Sequence, residues 1–438
     1  MTYENALEKI HSLLTFGSRP GLDRMRRFLG ELGNPQDKLR YIHVAGTNGK
    51  GSVCAVLSSV LTTAGYKTGL FISPYVTDFR ERIQIDNQMI DKEILVSAVE
   101  RTFPIIERLR SEGVIITEFE YVNALQFLIH SEANCNIVVL ETGMGGLLDC
   151  TNVIKPPLCS VITTIGLDHT AILGDTLEKI TEQKCGIIKH GSVAVTSVQN
   201  EAVMKEIRAH CEQKRTPLIE SGSIKIQLAK IDLDGSIFDF NGIELNLPLA
   251  GAHQLENAKT ALAALKALKE RNLINFTDLQ LQNGFAAAIN PARLELLCND
   301  PIVLLDGAHN PNGIEALKKS LIDFLSGKKI ICIMGMLADK DIDSAISLLP
   351  GVFSKIYTVS VDNPRAISAT ELAEKFAAHG MAATAFKTPQ SAFDKAFEEA
   401  KAKDYAVLIC GSLYLAGEIR PYIISSLNQP AIQDNTCL

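Results

Sequence analysis

The segment from Tyr41 to Ala64 limits the possible folds more than any other part of the chain. A short apolar run, Tyr41–Ala45, leads into the stretch GTNGKGS, and apolar residues then recur at helical spacing from Val53 onward. A strand, a glycine turn and a helix in this order form half of a parallel βα unit. The first N–H groups of such a helix face any anion bound at the turn. This context predicts a phosphate-binding loop.

The residue types of this loop suit a phosphate, although their spacing is unusual. Lys50 supplies a positive charge, and the hydroxyl of Ser52 can lie near phosphates or a metal. The common pattern has four residues between its first glycine and Gly-Lys-Ser/Thr, whereas here Gly46 comes later and Gly51 separates Lys50 from Ser52. A phosphate loop is favoured, and a flexible glycine turn is the alternative.

Strand-like and helical stretches alternate along the rest of the first 220 residues or so. This alternation predicts a mostly parallel sheet covered by helices on both faces. The further strand-like runs are Thr68–Ile72, Ile137–Leu140, Leu158–Ile165 and Val193–Val198. Between Ile224 and Leu247 the apolar period changes to two, with turn residues at Asp234-Gly235 and Asn241-Gly242. This change predicts a small antiparallel patch appended to the first sheet.

The α/β alternation restarts after Cys298. The predicted strands there are Ile302–Asp306, Lys329–Met334, Lys355–Val361 and Tyr405–Cys410. We therefore predict an α/β protein of two domains. Residues 1–298 form an N-terminal P-loop ATPase domain with a mostly parallel sheet and the antiparallel patch, and residues 299–438 form a C-terminal Rossmann-like domain.

Charge and cysteine usage exclude several classes of function. The formal net charge of −7 argues against general binding to nucleic acids or anionic membranes. The ten cysteines are scattered without a CxxC pair, which is typical of reduced thiols in a cytosolic protein. The first residues, MTYENALEKI, lack the apolar core of a signal peptide. We expect a cytoplasmic protein without nucleic-acid or membrane partners.

Acidic and imidazole side chains follow several predicted strands. Glu141 ends one strand, Asp168 and His169 follow another, and Asp306 ends the first strand of the second unit. Ligands of open α/β sheets bind at these carboxyl ends. Together with the loop, these residues favour a metal–nucleotide site, although a histidine by itself would not suggest Mg²⁺, which prefers oxygen ligands. Solvent-facing acids and a structural histidine are the alternatives.

Eight stretches together resemble the folylpolyglutamate synthase/dihydrofolate synthase family of the Mur ligase superfamily. In chain order they are GTNGKGSV, SPYVTDFRERI, ETGMGGLLDCTN, IGLDHTAILGDTLEKI, GAHQLENA, PARLE, DGAHNPNG and CGSLYLAGEIR. The resemblance implies an N-terminal ATPase domain, a C-terminal Rossmann-like domain and an active site between them. It also implies ATP-dependent joining of L-glutamate to dihydropteroate, reduced folates or both, through an acyl phosphate.

The resemblance assigns roles to individual residues. ATP phosphates are expected at Gly49, Lys50, Gly51 and Ser52, and the remaining ATP contacts at Asn257, Arg293 and Asp306. The expected Mg²⁺ ligands, for two ions, are Ser73, Glu141 and His169; a monovalent cation is also allowed. Lys184 matches a lysine that is carboxylated on its side chain. The expected catalytic residues are Lys50, Glu141, His169 and Lys184.

The resemblance also points to an acceptor-binding side. The matching residues are Leu22, Asp23, Arg24 and Met25; Thr117, Glu118, Phe119 and Glu120; and Leu148, Asp149 and Cys150. Arg82, with Arg80, is a hypothetical anchor for an anionic substrate, and a solvated charge cluster is the alternative. The chain departs from the family pattern at Tyr75, Glu118, Leu147, Cys150, Gln183 and Cys185. These departures leave the ATP chemistry intact and bear on which pterins are accepted.

Two other functions stay open at this level. One is a cell-wall ligase that adds amino acids to a nucleotide-sugar peptide. The position of the phosphate loop, about 45 residues into the chain, argues against the extra N-terminal domain of such ligases. The other is a non-enzymatic nucleotide-binding regulator, which would not require Lys50, Glu141, His169 and Lys184 together. We expect a monomeric enzyme.

Overall fold

The computed structural model describes residues 1–13 and 21–427. The polar tail, residues 428–438, for which the sequence predicts disorder, lies outside the described residues. None of the helices in the described part of the chain has the length and apolar character needed to cross a lipid bilayer.

The first domain is built on an eight-stranded sheet. Its strands are β1 (Tyr41–Ala45), β2 (Thr68–Phe71), β3 (Ile83–Ile85), β4 (Gln88–Met89), β5 (Ile137–Glu141), β6 (Cys159–Ile162), β7 (Val193–Thr196) and β8 (Leu218–Glu220). The strand order is β4-β3-β2-β5-β1-β6-β7-β8. Strands β2, β5, β1, β6, β7 and β8 run parallel, and β3 and β4 add an antiparallel edge. The prediction of a mostly parallel sheet is confirmed.

Helices cover both faces of this sheet. They are α1 (Tyr3–His11), α2 (Asp23–Glu31), α3 (Lys50–Thr63), α4 (Lys92–Ser111), α5 (Glu118–Glu132), α6 (Thr170–Leu173), α7 (Leu177–Cys185), α8 (Glu201–Gln213), α9 (Ala252–Glu270) and α10 (Asp278–Ala286). Successive residues of β5 pack on opposite faces, because side chains alternate along a strand. Val139 contacts the core that contains α3 and α9, and Leu140 contacts the core that contains α4 and α5.

The antiparallel patch is a separate three-stranded sheet. Its strands are β9 (Gln227–Asp232), β10 (Gly235–Phe240) and β11 (Ile243–Leu247), with β10 in the middle. It packs on α10, where the rings of Phe238 and Phe285 lie 6.1 Å apart. The prediction that it extends the first sheet is wrong. Its first strand also begins later than Ile224, because Ile224 follows a short 3₁₀ turn and is buried in the core of the first domain.

The second domain contains a six-stranded sheet. Its strands are β12 (Glu295–Asn299), β13 (Ile302–Leu305), β14 (Ile330–Met334), β15 (Lys355–Thr358), β16 (Thr384–Ala385) and β17 (Ala406–Cys410). Its helices are α11 (Pro311–Phe324), α12 (Ile342–Ser347), α13 (Ala369–Ala378), α14 (Pro389–Lys403) and α15 (Leu413–Leu427). The order is β12-β13-β17-β14-β15-β16, and only β12 runs antiparallel to its neighbour. The division at residues 298 and 299 stays a prediction; it falls inside β12, which belongs to the second sheet.

Candidate active site

The glycine-rich loop connects the end of β1 to the first turn of α3. Gly49 precedes the helix with a φ of 88°, a conformation that glycine adopts without a steric penalty. A Cβ at this position would lie 2.3 Å from the side-chain oxygen of Asn257, so the glycine also lets α9 approach the loop. Thr163 Oγ1 donates a hydrogen bond of 2.8 Å to the Asn48 carbonyl, which ties the loop to the end of β6. The loop therefore has a defined conformation, which argues against a merely flexible turn.

Lys50 and Glu141 meet at this loop. The Lys50 Nζ lies 3.8 Å from Glu141 Oε1 and donates a hydrogen bond of 3.3 Å to the Thr47 carbonyl. The Ser73 backbone N–H donates to Glu141 Oε2 at 3.3 Å. Burial raises the pKa of the Glu141 carboxyl, and Lys50 acts in the opposite direction. The site thus holds a buried carboxylate whose nearest cation is not in direct hydrogen-bonding contact.

Lys184 lies on the last turn of α7 and is 4% exposed. Its Nζ donates a hydrogen bond of 2.7 Å to the Gly46 carbonyl, at the start of the phosphate loop. Burial, with the nearby charge of Lys50, lowers the pKa of Lys184 to about 7. A large fraction of this amine is therefore neutral near neutral pH.

His169 and Asp168 follow β6 on the neighbouring loop. His169 has a φ of 52°, directly precedes α6 and keeps 40% of its side chain exposed. Burial lowers the pKa of His169, and Asp168 raises it. Asp168 accepts hydrogen bonds from Lys340 at 2.9 Å and from Asn310 at 3.2 Å, both in the second domain. Burial raises the pKa of Asp168, but His169 and Lys340 outweigh it and hold the pKa well below its usual range.

A second polar contact joins the phosphate loop to the second domain. The side-chain amides of Asn48 and Asn310 exchange hydrogen bonds of 3.2 and 3.4 Å. Asn310 Oδ1 also accepts from the Gly313 N–H at 2.8 Å and so caps α11. Neither Asn48 nor Lys340 is among the residues that the sequence predicts for the site. Asn48 lies within the predicted loop, whereas no local pattern marked Lys340.

The predicted ATP contacts outside the loop come from three parts of the chain. Asn257 is buried on α9 beside Gly49, and Arg293 lies between α10 and β12. Asp306 accepts hydrogen bonds of 2.7 Å from the backbone N–H groups of Leu294 and Ala308. Burial raises the pKa of Asp306, and Arg293 opposes this effect.

A cavity of about 360 Å³ lies beside Arg293. Leu249, Asn290, Arg293 and Leu294 are among the residues that line it. The side-chain amide of Asn290 donates a hydrogen bond of 3.0 Å to Ser52 Oγ, which connects this cavity to the phosphate loop. Asn290 is not among the predicted site residues, although it directly precedes the PARLE stretch.

The predicted Mg²⁺ ligands do not form a metal centre by themselves. Within residues 1–13 and 21–427, no group of three or more His, Cys, Asp or Glu side chains could hold a metal ion. The structure brings Ser73 to Glu141 through the backbone contact, whereas the ion-pair neighbour of His169 is Asp168. Mg²⁺ is commonly held by one or two carboxylates together with phosphate oxygens and water. The buried carboxylate beside a phosphate loop fits that mode of binding.

The first group of predicted acceptor-binding residues lies on α2 and at its contact with α5. Arg24 donates a hydrogen bond of 2.9 Å to Glu120, whose other oxygen accepts from the N–H and hydroxyl of Thr117 in a capping box of α5. Met25 is fully buried in the core and cannot touch a ligand in this structure. The side chain of Asp23 is fully exposed. Arg24 and Glu120 therefore form a charged pair that hydrogen bonds hold in place within the fold.

The loop after Glu141 carries the second group. Leu148 is 44% exposed, and the neighbouring Leu147 is 41% exposed. Asp149 is buried, and its oxygens accept from the Met144 N–H at 2.8 Å and from the Thr151 hydroxyl at 2.5 Å. Since Thr151 donates to this carboxylate, its oxygen accepts from His43 Nε2 at 2.9 Å. Asp149 thus holds the loop in shape rather than offering a free carboxylate.

The remaining acceptor-side residues line the junction of α5 with this loop. Phe119 packs so closely over Gly143 that a Cβ there would lie 2.2 Å from its ring. The thiol of Cys150 is buried, 3.9 Å from the Phe119 carbonyl. Leu22 directly precedes α2, and Glu118 Oε1 lies 3.2 Å from His11 Nδ1.

Arg80 and Arg82 have different environments. Arg80 pairs with Asp78 through contacts of 2.8 and 3.1 Å, so its guanidinium is already neutralised. Arg82 lies over the rings of Tyr75 and Phe79, at 5.2 and 5.4 Å from their centroids. Its Nε is buried and has no hydrogen-bond partner among the described residues. Of the two arginines, Arg82 is the better candidate for binding an anion.

The fold and the site define a class of protein: an ATP-dependent ligase of the Mur type. The Mur ligase middle domain matches residues 44–265, and the Mur ligase glutamate ligase domain matches residues 292–413. A dihydrofolate synthase/folylpolyglutamate synthase of Bacillus subtilis is 37% identical, over 95% of this chain and 98% of the relative. A folylpolyglutamate synthase of Lacticaseibacillus casei is 34% identical, over 97% and 99%. The chain belongs to the folylpolyglutamate synthase/dihydrofolate synthase family.

Solved structures agree with this assignment. The folylpolyglutamate synthase of Mycobacterium tuberculosis complexed with ADP superposes with a TM-score of 0.88, at 28% identity, covering 96% of this chain and 98% of the other. The Escherichia coli protein FolC, in complex with DHPP and ADP, gives a TM-score of 0.85 at 30% identity, covering 98% and 99%.

Proposed function

We propose that this enzyme joins L-glutamate to folate-type carboxylates, both dihydropteroate and reduced folates, with conversion of ATP to ADP and phosphate. The observation that carries the proposal is the convergence of Lys50, Glu141 and Lys184 at one edge of the parallel sheet, opposite the start of α11. A cell-wall ligase or a binding-only regulator has no comparable observation in its favour. A monomeric state and a cytoplasmic location stay predictions.

ATP is proposed to lie between the two domains. Its phosphates would contact Gly49, Lys50, Gly51 and Ser52 at the start of α3, where helix N–H groups and the lysine both favour an anion. Asn290, which donates to Ser52, lines a cavity that Arg293 also lines, and Asp306 accepts from the N–H of Leu294 in the same lining; Arg293, Asp306 and Asn257 are the remaining proposed contacts. The path from loop to cavity supports one nucleotide site shared by both domains.

Ser73, Glu141 and His169 would hold Mg²⁺, completed by phosphate oxygens and water. When bound there, Mg²⁺ would neutralise charge on the phosphate oxygens of ATP. A second Mg²⁺ ion and a monovalent cation stay predictions. The buried Glu141 carboxylate, which Lys50 approaches only to 3.8 Å, supports this assignment because a buried anion needs a closer counter-charge.

Lys184 is proposed to react with CO₂ to form a carbamate. Its nitrogen lone pair attacks the carbon of CO₂, and one proton leaves the nitrogen. Only the neutral amine can do this, and the pKa of about 7 supports a substantial neutral fraction. The product replaces a cation with an oxygen anion beside the phosphate loop, which suits a site that binds Mg²⁺.

The reaction is proposed to run through an acyl phosphate. An oxygen of the acceptor carboxylate attacks the γ-phosphorus of ATP, the bond to the β-phosphate oxygen breaks, and ADP leaves. The amine of L-glutamate then attacks the acyl carbon, phosphate leaves, and the nitrogen loses a proton as the amide forms. Lys50 would stabilise negative charge on the transferring phosphoryl group.

The acceptor is proposed to lie along Leu22–Met25, Thr117–Glu120 and Leu148–Cys150. The exposed side chain of Leu148 offers an apolar surface, and the ring of Phe119 lies close behind the same loop. Arg82, stacked on Tyr75 with its Nε unpaired, would bind an acceptor carboxylate. In this scheme Met25 and Asp149 act by shaping the surface.

A direct test measures ADP release by the purified protein with ATP, Mg²⁺, L-glutamate and either dihydropteroate or tetrahydrofolate. We expect release that requires both glutamate and an acceptor, with either acceptor active. Lys50→Ala should abolish it. Lys155→Ala changes a lysine that is 69% exposed and should not. If neither acceptor supports glutamate-dependent release, the proposal is wrong; if only one does, the dual activity is wrong.

A further inference from the structure

The linker that carries Arg293 has an unusual backbone. Ala292 and Leu294, on either side of Arg293, have φ values of 55° and 49°. Residues with a Cβ rarely adopt this left-handed conformation, because the Cβ crowds the backbone. Such residues persist only where the surrounding structure holds them. The position of Arg293 therefore depends on whatever holds its two neighbours.

The side chains of the two neighbours are packed into the second domain. Both are buried, Ala292 against one face of the six-stranded sheet and Leu294 against the other. Packing fixes these two positions and leaves Arg293, which is partly exposed, between them. A Cβ added to Gly307 would lie 2.8 Å from Arg293 Nη1, which places the guanidinium beside the loop that follows Asp306.

Two carboxylates hold the backbone on each side of Arg293. Asp306 accepts from the Leu294 N–H at 2.7 Å, and Glu295 accepts from the Ala292 N–H at 2.9 Å. The role of Asp306 is already contained in the proposed ATP site. Glu295 has no assigned role, although it ends the PARLE stretch.

Glu295 is itself fixed by a residue of α15. Arg420 Nε lies 3.0 Å from both carboxylate oxygens of Glu295, and Arg420 Nη2 lies 2.6 Å from one of them. The two side chains are 26% and 21% exposed, so the pair is partly shielded from water. A multiply bonded arginine–carboxylate pair has a defined geometry as well as a favourable energy. Arg420 ends the CGSLYLAGEIR stretch, so this pair joins that stretch to PARLE.

We propose that Glu295, held by Arg420, is a positioning residue that keeps the linker in the conformation that directs Arg293 toward the nucleotide. The sequence of contacts runs from α15 through Arg420 and Glu295 to the Ala292 N–H, and then along the chain to Arg293. The proposal rests on the proposed function, because it takes Arg293 as an ATP contact. It assigns to the last helix of the second domain an influence on ATP affinity without any contact to ATP.

The test measures ATP dissociation constants of the full-length protein by calorimetry, together with thermal unfolding temperatures. Glu295→Ala should raise the ATP dissociation constant about tenfold, because the binding-competent linker becomes a minor population. Arg420→Met should act in the same direction, and Arg293→Ala gives the reference loss. The control is Glu132→Ala, which removes an arginine pair of similar geometry with Arg101 on the first domain and should change ATP affinity less than twofold.

A rescue experiment separates positioning from general stability. Glycine adopts the left-handed conformation without the Cβ penalty. Adding Ala292→Gly to Glu295→Ala should therefore recover part of the ATP affinity. Glu295→Gln, which keeps an acceptor for the Ala292 N–H, should lose less than Glu295→Ala and serves in its place if that variant does not fold.

The outcomes are distinguishable. If Arg293→Ala leaves ATP affinity unchanged, the ATP assignment in the proposed function fails. If Arg293→Ala weakens ATP binding and the Glu295 variants do not, or if they lower only the unfolding temperature, the positioning role is overturned. Failure of Ala292→Gly to recover any affinity also overturns it, because Glu295 would then not act through the backbone.

Discussion

At Gly417, α15 of the second domain packs against the backbone of Val76 in the first domain, and this contact allows a test of the docked arrangement. Gly417 lies on α15, and a methyl carbon added there would lie 1.8 Å from the Val76 carbonyl oxygen. A carbon and a carbonyl oxygen approach to about 3.3 Å at closest. Gly417→Ala must therefore move the two backbones apart by roughly 1.5 Å, or distort the helix.

This displacement should alter the arrangement of the catalytic residues. Val76 is three residues after Ser73, whose N–H contacts Glu141. A displacement of about 1 Å in a catalytic arrangement can cost about 100-fold in rate. We expect the kcat/KM of Gly417→Ala for glutamate-dependent ADP release to fall about 100-fold. The variant should still fold, since alanine is favoured over glycine within a helix by about 1 kcal/mol.

A matched glycine supplies the control. Gly30 lies on α2, and a Cβ there would have no neighbour within 4 Å. Gly30→Ala should keep full activity and raise the free energy of unfolding by about 0.5–1 kcal/mol. If Gly417→Ala retains activity within twofold of the unmodified protein, and its unfolding temperature is unchanged, then the reasoning from domain contact to chemistry is refuted.

Three further predictions concern the charged groups of the site. For Lys184, with a pKa of about 7 when folded and 10.5 in the unfolded chain, the unfolded state binds more protons between these values. Its contribution to stability should therefore rise from pH 7 to about 10.5. Chemical denaturation should show the free energy of unfolding of the unmodified protein rising relative to that of Lys184→Met over that range. Asp168→Asn should weaken the contact with Lys340. Steady-state kinetics should show a lower kcat, whereas calorimetry should show only a small change in the unfolding temperature. An unchanged kcat would contradict this. Asp149→Ala should lower activity with dihydropteroate and tetrahydrofolate alike, because Asp149 holds the loop through Thr151; a loss with only one acceptor would argue for direct contact.

Local patterns predicted the βα units well. The strand before the phosphate loop and the helix after it are each determined by residues close in sequence, and β1 and α3 lie where the spacing placed them. The prediction of the antiparallel patch was less accurate, because the alternation at Ile224 reflects burial of an irregular segment and not a strand. Burial against distant parts of the chain produces the same pattern as a strand.

The contacts between the domains could not be predicted in the same way. Asn48 and Asn310 are 262 residues apart, and Asp168 and Lys340 are 172 apart. No periodicity or motif specifies which polar groups meet over such distances. The assignment of Met25 to the acceptor site illustrates the reverse difficulty. A motif locates the segment, whereas helical geometry decides which of its side chains face the core.

The two domains contact each other through Asn48 and Asp168 on one side and Asn310 and Lys340 on the other. Because both domains belong to one chain, this contact can be weaker than a contact between separate molecules. A short connection holds such parts at an effective concentration of the order of millimolar. A contact that would associate only weakly between separate molecules is therefore well populated here. A ligand needs to supply only about 1–3 kcal/mol of differential affinity to shift such an equilibrium. This contact between the domains is thus suited to forming when ATP binds and breaking when ADP leaves in every turnover, without a strong interface being broken each time.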